Sequence, residues 1–132
     1  MPDATPRPQP AAGALRALLR AEGMAEFLLL IVLYERVGGP WWLFAVLFLA
    51  PDLSFLGYLA GPRVGAVAYN AVHAVVAPAL LGAGALLGGW PLGLSLAVIW
   101  AAHIQFDRAL GYGLKYAGGF GDTHLGRLGK AA

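Results

Sequence analysis

Trp100 to Tyr116 reads WAAHIQFDRALGYGLKY, the end of a strongly apolar segment that nevertheless carries His103, Gln105, Asp107, Arg108 and Lys115. At ~100° per residue, His103 and Asp107 fall one turn apart on the same helix face. Ionisable groups inside an apolar span are costly, so each needs a partner or a task. Those partners must come from the rest of the chain.

Composition sets the frame. Of 132 residues, 59% are hydrophobic and 12% are charged, about half the charged fraction of a soluble domain, which runs near 25%. The apolar residues come in blocks too long for a small soluble core, which predicts a one-domain polytopic membrane protein with the lipid bilayer as its partner. The absence of cysteine excludes disulfides, thiolate metal sites and cysteine nucleophiles. A net charge of +2 is too small to point to nucleic acid.

Residues 1–12, MPDATPRPQPAA, hold four prolines and little to bury, which predicts a disordered tail. From Gly13 the pattern becomes helical. Glu22 and Glu26 fit poorly with a cleaved signal peptide, so an uncleaved first helix is expected. Three turn signals divide the remainder of the chain: Gly38-Gly39-Pro40, Gly61-Pro62-Arg63 and Gly88-Gly89-Trp90-Pro91. Between them lie segments long enough to cross ~30 Å of hydrocarbon: Trp41 to Ala60, Val64 to Leu87, and Leu92 to about Tyr116. The expected fold is all-α: a four-span, up-down transmembrane bundle over residues 13–116 with short Gly/Pro hairpins, followed by a cytoplasmic tail at 117–132. In that tail Asp122 or Thr123 could cap a short last turn, and His124 is either a surface residue or a ligand brought under the bundle.

Orientation comes from the basic residues. Arg7, Arg16, Arg20, Arg63, Lys115, Arg127 and Lys130 fall on one side, Arg36 alone on the other, and Arg108 within the fourth span. The positive-inside rule then places both termini in the cytoplasm, with the protein multi-pass in the inner (plasma) membrane. Trp41, Trp42 and Trp90 fall at the outer interface, and Tyr58, Tyr112 and Tyr116 at the inner one.

The polar residues that do not belong in lipid are Glu26, Asp52, Tyr69, Asn70, His73, His103, Asp107 and Arg108. Counting ~1.5 Å per residue puts Asp52 roughly 12 Å deep and His73 and Asp107 roughly 14 Å deep, with Glu26 at a comparable level. Pro51 should loosen the helix beside Asp52, and Pro78 should kink the third helix one turn beyond His73. Two readings stand for this layer. The preferred one is a buried polar network, in which Asp107 or Glu26 pairs with Arg108 and the histidines are neutral donors. The other takes Asp52, His73, His103 and Asp107 as ligands of a divalent metal such as zinc, with an open position that activates water.

The phrases PDLSFLGY, YN..H, H...DR.LGYGLKY and DTHLG together resemble the small bacterial membrane proteins grouped as domain of unknown function 4260, over about Leu18 to Gly126. The resemblance implies a four-helix integral membrane protein and carries no activity or catalytic residue with it. Gln105 stands where that family leads one to expect a small residue, so close helix packing is not expected there.

Three functional classes are compatible with such a chain. One is a membrane protein of uncharacterised role whose cluster is structural or holds a small ligand. A second is an intramembrane metal-dependent hydrolase acting on a lipid-like substrate. The third is an oligomeric transporter or channel, for which four short helices would need a homo-oligomer. Catalytic residues, and whether the protein is an enzyme at all, stay open at this level.

Overall fold

The computed structural model describes residues 13–114, together with the backbone of 122–123 and 126–127. The expectations for residues 1–12, Lys115, Tyr116 and His124 lie outside the described residues. The fold is all-α. Helix α1 spans Gly13–Val37, α2 Trp41–Leu47, a 3₁₀ helix Ala50–Ala60, α3 Pro62–His73, α4 Val76–Leu87 and α5 Pro91–Leu110. In the tail, Asp122–Thr123 pairs antiparallel with Gly126–Arg127. The expected helical turn at Asp122 is therefore a two-residue strand.

The turns fall where the Gly/Pro signals lie. Gly38, Gly61 and Gly89 all adopt positive φ, and Pro62 and Pro91 open α3 and α5, where a missing N–H costs no hydrogen bond. The chain thus folds into four rods: α1, the run Trp41–Ala60, the run Pro62–Leu87, and α5. The two middle runs are long and apolar enough to cross a membrane.

Prolines shape both middle rods. Pro51, which is buried, sits at the start of the 3₁₀ helix, so the loosening expected beside Asp52 extends over a whole 11-residue segment. In the third rod, the break comes at Ala74 and Val75. Ala74 is extended (φ −86, ψ 137), four residues before Pro78, whose ring would collide with that carbonyl in a continuous helix. The break strands two carbonyls, and both are reclaimed from α5: Trp100 Nε1 donates to Val72 O at 2.6 Å, and Arg108 Nη2 to His73 O at 2.9 Å.

Helix α5 is the hub, packed along α1 and α4, while the 3₁₀ helix packs along α3. The inward face of α1 runs through Gly23, Phe27, Leu30 and Tyr34. Gly23 lies so close to α5 that a Cβ there would come within 2.9 Å of Ala109 N and 3.1 Å of Gln105 O. Packing beside Gln105 is therefore close, contrary to expectation, because the small residue is supplied by the partner helix. Tyr34, Val98 and Ile99 form a core cluster at the other end of this contact. Helix α5 ends at Leu110 instead of running to Tyr116. Gly111 is left-handed (φ 96, ψ 7), and Tyr112 N bonds to Asp107 O at 2.8 Å while Gly111 N bonds to Arg108 O at 3.0 Å. This reverse-turn cap stops the helix just past Asp107.

Candidate metal centre

Each of the four ionisable ligand candidates is held in place by an identifiable local feature. Asp52 opens the 3₁₀ helix just after Pro51. His73 closes α3 at the break. His103 and Asp107 stand one turn apart on α5 and point the same way (Nε2 to Oδ2, 3.3 Å). The structure brings all four together, one ligand atom from each lying within 4.8 Å of the others.

The two imidazole nitrogens stand at similar distances from each other and from both carboxylates. His73 Nε2 is 3.1 Å from His103 Nε2, 3.5 Å from Asp52 Oδ1 and 3.4 Å from Asp107 Oδ2. His103 Nε2 is 3.2 Å from Asp52 Oδ1. Zinc bonds to nitrogen and oxygen of ~2.0–2.2 Å require tetrahedral ligand atoms roughly 3.3–3.6 Å apart. The imidazole nitrogens stand at about that spacing from each other and from both carboxylate oxygens.

Proton bookkeeping separates this arrangement from a hydrogen-bond network. His73 Nδ1 lies 3.0 Å from the Tyr69 carbonyl, which can only accept, so that nitrogen carries the proton and Nε2 presents a lone pair. With the two Nε2 atoms 3.1 Å apart, both cannot bear a proton. At most one N–H, from His103, is available for a cluster whose other members are all acceptors. Neither carboxylate pairs with an arginine among the described residues. Two carboxylates and two imidazoles thus converge with no arginine in ion-pair contact with either carboxylate, and a divalent ion would balance the two negative charges.

The surroundings hold the imidazoles still. Tyr69 stacks on His73 with ring centroids 3.8 Å apart and an 8° interplanar angle, and its hydroxyl donates to Asp107 Oδ2 at 3.4 Å. Phe48 meets the His103 ring edge-on at 5.5 Å. A carbonyl on the non-ligating nitrogen of His73 is the usual device for fixing a ligand's tautomer. The His73 and His103 side chains are 0% and 1% exposed and Asp107 13%, but Asp52 is 38% exposed. One corner of the cluster is thus open. It gives on to a cavity of about 360 Å³ whose polar wall is Asp52, Asp107, His103 and Tyr69.

Of the other predicted members, Tyr69 touches both His73 and Asp107. Glu26 is exposed on α1, which is seated by Gly23 and turns Phe27 inward against Phe106 at 5.3 Å. The expected Glu26 contribution is therefore corrected. Asn70 is half-buried on α3, and its carbonyl accepts from Ala74 N at 2.9 Å. Arg108 does not pair with Asp107. It donates instead to the backbone carbonyls of His73 and Tyr112 (2.9 and 2.6 Å). Trp100 has a structural role that its sequence position did not reveal, although Pro78 already marked the carbonyl-rich break that Trp100 serves.

A family model described as Domain of unknown function (DUF4260) matches residues 16–128, in agreement with the resemblance carried by PDLSFLGY and its companion phrases. No curated protein and no solved structure matches the chain.

Proposed function

The chain belongs to this DUF4260 family, whose description names no activity, and from the site's geometry we propose that it is a four-span inner-membrane protein built around a divalent metal centre of the zinc type. His73, His103 and Asp107 are the holding ligands, and Asp52 stands at the fourth, part-exposed corner. The carrying observation is the 3.1–3.5 Å spacing of the two imidazole nitrogens from each other and from both carboxylate oxygens, together with a shortage of protons to bond them to each other.

The membrane assignment is supported by the outer surface. In the two candidate spans, only 6% and 17% of the span window is buried, whereas an apolar core helix of a soluble domain is mostly enclosed. Leu29, Val46, Leu53, Val67, Leu80 and Leu87 all point outward, a continuous apolar exterior of the kind lipid covers. The basic residues favour cytoplasmic termini.

A purely structural metal would have all four corners closed. Asp52 is the exception, part-exposed and facing a cavity, and this favours a hydrolytic centre in which the metal lowers the pKa of a bound water. The test is elemental analysis of the purified chain in detergent. About one divalent ion per chain is expected, lost in His103→Ala. A metal-free protein that stays folded and gains no stability from added zinc would overturn the reading.

A further inference from the structure

Resting on that metal reading, we infer that the cavity beside Asp52 takes an uncharged acyl ester, such as the ester linkage of a diacylglycerol, with its carbonyl turned to the metal. Two observations lead there. The first is shape and polarity: facing the polar wall, the cavity is lined by Leu49, Phe55, Phe106 and Leu110. Leu49 and Leu110 at its edge are 64% and 48% exposed, so the apolar side opens outward where lipid would lie. A ligand that fits has one polar group and an apolar body.

The second observation is charge. A divalent ion balances Asp52 and Asp107, and the two imidazoles are neutral, so the loaded site has no net charge. No lysine or arginine is among the lining residues described. The nearest cation in sequence, Arg108, keeps its charge but is not part of the lining, and it turns two N–H groups to the backbone carbonyls of His73 and Tyr112. A phosphodiester would bring an anion into this apolar space with no cationic side chain in the described lining to receive it, which is costly. An ester carbonyl is neutral and asks only for a Lewis acid, which the ion would supply.

The step balances without a further reactant. Water bonds through oxygen to the acyl carbon, and the bond from that carbon to the alcohol oxygen breaks. One water proton passes by way of the Asp52 carboxylate to the departing alkoxide. Ester and water become fatty acid and alcohol. Asp52 suits this task because it is the one ligand candidate on a 3₁₀ segment and the most exposed of the four.

The full chain, reconstituted in phosphatidylcholine vesicles and assayed for zinc, is offered either diacylglycerol or the anionic phosphatidylglycerol, with products identified by mass. Release of fatty acid from diacylglycerol is expected, falling on the order of 100-fold or more in Asp52→Asn while zinc is retained. Head-group release from phosphatidylglycerol with diacylglycerol intact would overturn the ester inference, as would inertness of zinc-loaded protein toward both lipids. In those cases the metal centre itself stands. A chain without zinc would sink the metal reading underneath. Loss of zinc from Asp52→Asn would make Asp52 a holding ligand and overturn its assigned role.

Discussion

Arg108 reaches past Asp107, its neighbour in sequence, and donates from Nη2 to the backbone carbonyl of His73 at 2.9 Å. The guanidinium therefore braces the helix end that carries a ligand candidate and makes no ion pair with the Asp107 carboxylate. Arg108→Gln should strip a buried carbonyl of its donor at a cost of about 1–3 kcal/mol. Zinc affinity should fall by roughly 10–100-fold with the stoichiometry unchanged at saturation, as for other supports one layer behind a ligand. A competition titration with a zinc chelator reads this directly, and an unchanged affinity would remove Arg108 from the account.

Metal removal should show as lost stability. Saturation at a thousand times the dissociation constant is worth ~4 kcal/mol, so a chelator should lower the thermal midpoint of the wild-type chain in detergent. His73→Ala should already have the lower midpoint and respond to neither chelator nor zinc. If the variant and the wild type respond alike, zinc binds somewhere else.

The α1–α5 contact can be tested at Gly23. A Cβ there would sit 2.8 Å from Arg108 Cβ and 2.9 Å from Ala109 N, so Gly23→Val should overpack the interface by about 1–3 kcal/mol. Gly84, within α4, has nothing within 4 Å of a Cβ. Gly84→Ala should therefore be neutral or slightly stabilising, by ~0.4–1 kcal/mol. Equal effects in unfolding measurements would mean the helices are not seated as described.

Topology has its own assay. Reporter fusions after Lys130 and within the turn at Gly39 should report opposite compartments, with the C-terminus cytoplasmic. A periplasmic C-terminus would invert the orientation and place the Asp52 cavity at the outer leaflet.

The site is legible in the sequence because depth is countable. Rise per residue places Asp52, His73 and Asp107 at one level, and the structure brings their ligand atoms together. Height does not give rotation, however, and Glu26 shows the difference. It shares the layer but faces outward, because the azimuth of α1 is set by where Gly23 meets α5. The effect of Pro51 is legible in kind and not in extent, since how far a helix tightens depends on what packs against it, here α3. Pro78 announces a break in the third rod, but nothing local names Trp100 and Arg108 as the donors that complete it. Arg108 misleads for a related reason. An adjacent carboxylate is the obvious partner on paper, whereas an orphaned carbonyl arises only once two helices meet.

The break between α3 and α4 also sets a schedule. A chain made from its N-terminus contains the carbonyls of Val72 and His73 well before it contains Trp100 and Arg108, which satisfy them. In the membrane protein proposed above, those groups would have to stay with water or the insertion machinery until the last rod is synthesised, because hydrocarbon offers them nothing. The same rod brings His103 and Asp107, so half of the ligand set arrives together with the groups that lock His73 in place. Capture of the proposed metal would then be the closing event of biogenesis. Nascent chains arrested short of Trp100 should be released by the insertion machinery later than chains arrested beyond Leu110, as site-specific crosslinking would record.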